Sequence, residues 1–109
     1  MPHYIYLIHP LREGFFEQPT PAEEAAMQGH FDYLKRATEE GVVLLAGPCL
    51  DDTFGLVVFQ AADEAAAQAF MFNDPSVQAN VMMAELHPFR VSLPDSRHPG
   101  WGVAPDNQF

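Results

Sequence analysis

The sequence is poor in positive charge: Lys and Arg number 5 against 15 Asp and Glu, a formal net charge of −10 over 109 residues. A chain this acidic lacks the electrostatic footprint for phosphate backbones, which argues against nucleic acid as a partner. Cysteine is nearly absent. Cys49 stands alone, which excludes an intramolecular disulfide framework and any multi-cysteine zinc site. Long apolar runs are missing too. Tyr4 to Ile8 is too short for a membrane span or a signal-peptide core, and no positive segment precedes it, so a cytoplasmic protein without a membrane partner is expected. There is no Gly-x-Gly-x-x-Gly or Walker pattern, and Gly47 reads as a backbone requirement of a turn rather than a phosphate cradle. The histidines lack metal-ligand spacing such as His-Glu-x-x-His. His9 and His87, joined by Glu85 or Asp74, would make only a thin metal site, and His3 and His98 read as surface residues. No metal and no cofactor is expected.

What the sequence does contain is 48% hydrophobic and 12% aromatic residues, enough for one core and too short a chain for two. Tyr4 to Ile8, β-branched and aromatic, predicts a strand buried on both faces and stopped at His9-Pro10. Leu11 to Pro19 shows no period and reads as a loop whose Phe15 and Phe16 pack against the body or form a lid. Thr20-Pro21-Ala22-Glu23 is a helix start, with Thr20 as cap, Pro21 in the first helical position and Glu23 closing a capping box. Met27, Phe31, Leu34 and Thr38 predict the buried stripe of this first helix, and Gly41 its end. Val42 to Leu45 and Phe54 to Phe59 follow as strands joined by a hairpin connection, Ala46 to Thr53. Asp63 caps a second helix running to about Phe72, with Ala66, Ala69, Phe70 and Asn73 on adjacent turns. Asn73-Asp74-Pro75 breaks it. One helical turn, Ser76 to Asn80, and a last strand, Met82 to Leu93, complete a domain over 1–93. Pro88 marks that strand as an edge or a bulge. The remainder, 94–109, with Trp101, is an irregular C-terminal tail.

The order β-α-β-β-α-β is the ferredoxin-like arrangement: an α+β fold with a four-stranded antiparallel sheet and helices on one face. Both faces of strand one are apolar, and an uncovered apolar face predicts a homodimer that packs sheet against sheet. Among residues that carry chemistry, His30 borders the apolar stripe of helix one, where it is either a structural histidine or an acid–base group. Asp74 precedes Pro75 as a helix cap would. Both helices pack on one sheet face, so the two side chains can meet, and a carboxylate beside an imidazole fixes its tautomer and favours its protonated form. Cys49 reads either as a nucleophile held by Pro48 or as a small half-buried apolar residue.

Several of these pieces together resemble the YciI-like family, also called the YCII-related domain. They are the opening Tyr-x-Tyr strand, His30, the run Gly41 to Pro48 ending in Ala46-Gly47-Pro48, Asn73-Asp74-Pro75-Ser76-Val77 and Pro88-Phe89-Arg90-Val91. The resemblance covers about residues 3 to 93. It implies a dimeric α+β barrel of ferredoxin-like protomers and a pocket with a histidine–aspartate pair, here His30 and Asp74, walled in part by Ala46-Gly47-Pro48. One type in the family eliminates chloride from a hydroxylated chloroaromatic compound. This chain departs from the pattern at Cys49, where members often carry a polar or small residue, and in its tail. The reading that results is a cofactor-independent small-molecule lyase, isomerase or hydrolase acting on ring compounds such as quinols or lactones. His30 moves a proton, Asp74 orients it, and Tyr4 or Tyr6 donates a hydroxyl to the substrate. The alternatives are a non-catalytic dimeric module that binds a small molecule or a protein segment, and cofactor-independent oxygenation.

Overall fold

Alternation along the first strand decides where the core lies. In β1 (His3–Pro10), Tyr4, Tyr6 and Ile8 are buried while Ile5 and Leu7 on the opposite face are only half-buried. The computed structural model describes residues 1–95, and the expectations for His98 and for the tail with Trp101 lie outside them. β1 pairs antiparallel with β3 (Gly55–Gln60) on one side and β4 (Met82–Phe89) on the other. β2 (Val43–Pro48) pairs with β3, so the sheet order is β2-β3-β1-β4. Among the described residues there are three helices: α1 (Pro21–Glu39), α2 (Glu64–Phe72) and the single turn α3 (Pro75–Gln78). This is the four-stranded antiparallel α+β architecture of the ferredoxin-like class.

The helices cover the face that carries Tyr4, Tyr6, Ile8, Val57 and Phe59, against which α1 places Leu34 and Ala37 and α2 places Ala67 and Met71. Phe59 and Tyr6 have no exposed surface, and burying each contributes on the order of 2–3 kcal/mol. Local chemistry sets the helix ends. Thr20 and Glu23 form the capping box and Pro21 opens α1. Gly41, at φ +82°, turns the chain out of the helix. Asp63 caps α2 by accepting the Ala66 N–H at 2.8 Å.

Several expectations need correction. The buried stripe of α1 is rotated: Leu34 is buried and Met27 half-buried, but Phe31 and Thr38 are exposed. Inward positions go instead to Gly29, His30, Tyr33 and Ala37, because their partners sit there. Pro75 lies against Gly29, Asp74 bonds His30, and the Phe70 carbonyl accepts the Tyr33 hydroxyl at 2.7 Å. In α2 the buried positions are Ala67 and Met71, with Phe70 partly buried against the core. Strand β1 is buried on one face rather than two. Ala46-Gly47-Pro48, expected in the hairpin connection, extends β2. Pro48 is tolerated there because β2 is an edge strand whose outer side needs no N–H. β4 ends at Phe89 rather than Leu93, and Pro88 lies on the opposite edge. His3 is buried, not on the surface, and its Nδ1 accepts the Val91 N–H at 2.9 Å. Burial and the nearby N-terminal charge lower its pKa. The loop from Leu11 to Pro19 is packed down. Phe15 is buried, and Arg12 ties the loop to α1 through a two-pronged bond to Glu23, both contacts at 2.8 Å.

Candidate active site

The site begins with a close approach of two helices. A Cβ on Gly29 would stand 3.1 Å from the Pro75 Cβ, so only a glycine lets α3 dock this closely on α1. Docking brings Asp74, the N-cap of α3, beside His30. Asp74 is fully buried, and its carboxylate collects donors on both oxygens. Oδ1 accepts from the Ser76 N–H at 2.9 Å and the Ser76 hydroxyl at 2.8 Å. Oδ2 accepts the Tyr6 hydroxyl at 2.7 Å and lies 2.7 Å from His30 Nδ1, which is also 2.9 Å from Oδ1. The cap and the histidine partner are thus the same aspartate, one oxygen turned mainly to each task.

Burial pushes the Asp74 carboxyl up, but the His30 hydrogen bond and charge, with the donors from Tyr6 and Ser76, outweigh it and leave the group below its ordinary value. An ionised carboxylate only accepts. Nδ1 of His30 must therefore carry a proton, and Nε2 becomes the nitrogen that can take one up or release it. Burial first, then the charge and hydrogen bond of Asp74, raise the Tyr6 phenol far above its ordinary range. Burial and the same charge bring Tyr33 up to about 12. Neither phenol ionises near neutrality.

His30 lines a groove of about 1020 Å³ that runs between α1 and the β2–β3 end of the sheet. Its walls are largely apolar, with Phe15, Phe31, Leu34, Leu45 and Phe54 among them, and Lys35, Glu39 and Asp52 supply its charge. Gly47, Pro48 and Cys49 line it as well, Cys49 as a half-buried free thiol. Tyr4 and Tyr6 do not reach it. Both belong to the helix-covered core, Tyr4 packing on Phe59 at 6.0 Å between ring centroids, so the expected hydroxyl donor to a substrate comes from neither. His9 and His87 lie apart. His87 pairs with Ile5 in the ladder and His9 with Met83, four positions along, about 13 Å at strand spacing. His9 Nδ1 stands 3.0 Å from the Thr53 carbonyl, and His87 Nε2 stands 2.8 Å from Glu85.

Gly29 and Ser76 are the site residues that residue-type reasoning missed. A glycine in mid-helix and a serine just behind a capping Asp-Pro both have ordinary local explanations. Their only signal is the cost of a helix-interior glycine, near 1 kcal/mol, which calls for a packing reason.

Comparison with known proteins adds to this geometry. The profile of the YCII-related domain matches residues 4–90. No curated protein sequence matches the chain. Among solved structures, the 5-chloro-2-hydroxyhydroquinone dehydrochlorinase of Burkholderia phenoliruptrix AC1100, in complex with 2,5-dihydroxybenzoquinone, is similar with a TM-score of 0.60. The likeness covers 80% of this chain and 93% of that one at 16% sequence identity, and it bears on the fold. An uncharacterised protein of Thermotoga maritima aligns over 81% of this chain and 95% of its own, at 14% identity and a TM-score of 0.45.

Proposed function

The chain belongs to the YCII-related domain family, matched over residues 4–90, and from that premise we propose that it is a cofactor-independent small-molecule enzyme of the lyase, isomerase or hydrolase type. The observation that carries the reading is a fully buried carboxylate held 2.7 Å from Nδ1 of a histidine that lines an apolar groove. Burying a carboxylate is costly unless it is fully bonded, and a helix cap alone needs no such burial. In the proposed reaction, Nε2 of His30 takes a proton from the bound compound while Asp74 stabilises the imidazolium. The same nitrogen then returns the proton to the product or the leaving group. Phe31, Leu34 and Phe54 offer walls suited to a flat apolar ring, and Gly47, Pro48 and Cys49 close one side.

The homodimer belongs to the same reading. On the sheet face away from the helices, Ile5, Leu7, Leu56 and Val58 form an apolar centre, and Met83 and Phe89 stand exposed beside it. A second copy placed face to face covers it.

A kinetic screen of hydroxylated quinols, quinones and small lactones tests the function. The quinone bound by the Burkholderia dehydrochlorinase and that enzyme's chlorinated substrate head the panel. Turnover of at least one compound is expected, falling about 10²- to 10⁴-fold in His30→Ala and in Asp74→Asn. Turnover that survives both substitutions removes the mechanism. Saturable binding with no turnover in any protein identifies a binding module instead, a reading that the solvent-facing Phe31 and Leu50 of the groove would suit.

A further inference from the structure

We propose that Tyr6 is a positioning residue of this site: its buried hydroxyl, donating to Asp74 Oδ2, holds the carboxylate in the orientation that engages Nδ1 of His30 and leaves Nε2 to the groove. The proposal rests on the acid–base reading of His30 and Asp74, and adds a residue that acts through the aspartate without touching the substrate.

Tyr6 sits on a central strand, opposite Val57 on one side and Leu86 on the other. Its ring is fixed by edge contacts with Phe59 at 5.6 Å and Phe70 at 6.2 Å, and it has no exposed surface. A phenylalanine would fill that space. A hydroxyl carried into so dry a place costs free energy unless it is bonded, and this one reaches the buried carboxylate at 2.7 Å.

The other fixed donors to Asp74 come from Ser76, two residues along the same turn, and move with it. Tyr6 is 68 residues away in sequence, so its bond ties the carboxylate to the sheet. Without it, Ser76 still holds Oδ1, but Oδ2 is left to His30 alone and the carboxylate can swing about the Ser76 side. The imidazole then loses the reference that sets its angle. Hydrogen bonding from Tyr6 also favours the ionised carboxylate, in the sense already seen for Asp74.

The test is NMR of the full chain, wild type against Tyr6→Phe, with Val43→Ala as a core variant in a buried residue of β2 that touches neither Tyr6 nor Asp74 in any hydrogen bond. In Tyr6→Phe the carboxyl-carbon titration of Asp74 moves upward, and the Nδ1–H of His30 exchanges with solvent about tenfold faster, the equivalent of one lost hydrogen bond. Val43→Ala loses stability but leaves both signals in place. If Tyr6→Phe keeps the wild-type titration and exchange and merely unfolds more easily, as Val43→Ala does, Tyr6 is a packing residue and the proposal fails. The wild type gives a check that needs no variant. A slowly exchanging Tyr6 hydroxyl proton should shift as Asp74 titrates, and a hydroxyl signal indifferent to that titration overturns the bond. These readouts use no substrate. A barren kinetic screen counts against the acid–base reading alone, whereas an unmoved Asp74 titration counts against Tyr6 whatever the kinetics show.

Discussion

Asp74 divides its oxygens between a helix end and a histidine, and its titration couples the two. Its pKa is depressed in the folded protein, so by linkage it contributes stability that is complete above the unfolded value near 3.8 and is lost as pH falls through the folded value. Asp74→Asn should therefore be less stable at neutral pH by roughly 1–3 kcal/mol, since an amide leaves one of the donors around it without an acceptor. The gap to wild type should narrow as the pH falls from the unfolded value near 3.8 toward the depressed folded one, below which the wild-type carboxyl is itself neutralised. Denaturant titrations across that range check this, and a gap independent of pH contradicts it. His30 and Asp74 are legible in the sequence as separate candidates, because residue type and a place near an apolar stripe are enough to single them out. Their meeting is less legible. Tyr6 is visible as a core aromatic, but alternation tells which face a side chain takes and not which atom its hydroxyl reaches. Ser76 hides behind the capping role of its neighbours.

At the scale of elements, the site depends on how α3 lies on α1. Gly29→Ala gains helix propensity, about 1 kcal/mol, yet its Cβ falls 3.1 Å from Pro75, whose turn is pinned by the Asp74 cap. Overpacking should win, with a net loss of about 1–2 kcal/mol and a displaced Asp74, read by thermal unfolding and by the His30 Nδ1–H signal. A stabilised Gly29→Ala with that signal unchanged would show that α3 yields freely. Phe31 makes the opposite case. It is 61% exposed but lines the groove, so Phe31→Ala should change stability by no more than about 0.5 kcal/mol. Affinity for a ring ligand should fall about tenfold, the loss of one aromatic contact surface. Calorimetry separates the two effects. The strand and helix order was readable because caps, proline and Gly41 punctuate it. The stripe of α1 was not, because hydrophobicity ranks Phe31 above Gly29, Tyr33 and Ala37, while the partners that draw those residues inward come from distant parts of the chain.

For the whole molecule, the acidic balance and the apolar sheet face bear on assembly together. No helix among the described residues is long and apolar enough to cross a membrane. The proposed second copy would sit on the half-buried apolar residues around Leu7, on the sheet face away from the helices. Sedimentation at micromolar concentration should give twice the 12.1 kDa chain mass, and Leu7→Glu should return the chain mass with helix content retained. A wild type that sediments as a single chain contradicts the dimer. The ferredoxin-like order is legible from element sequence alone, since one chain direction satisfies it. What the open face meets is not, because one chain carries no record of its partner's register.

The central claim is that Asp74 sets the tautomer of His30 so that Nε2 serves the groove. Nitrogen NMR of the neutral imidazole tests it most directly. The wild type should show the proton on Nδ1 and a bare Nε2, and Asp74→Asn should redistribute the proton between the two nitrogens. A proton on Nε2 in the wild type, or the same distribution in both proteins, contradicts the account.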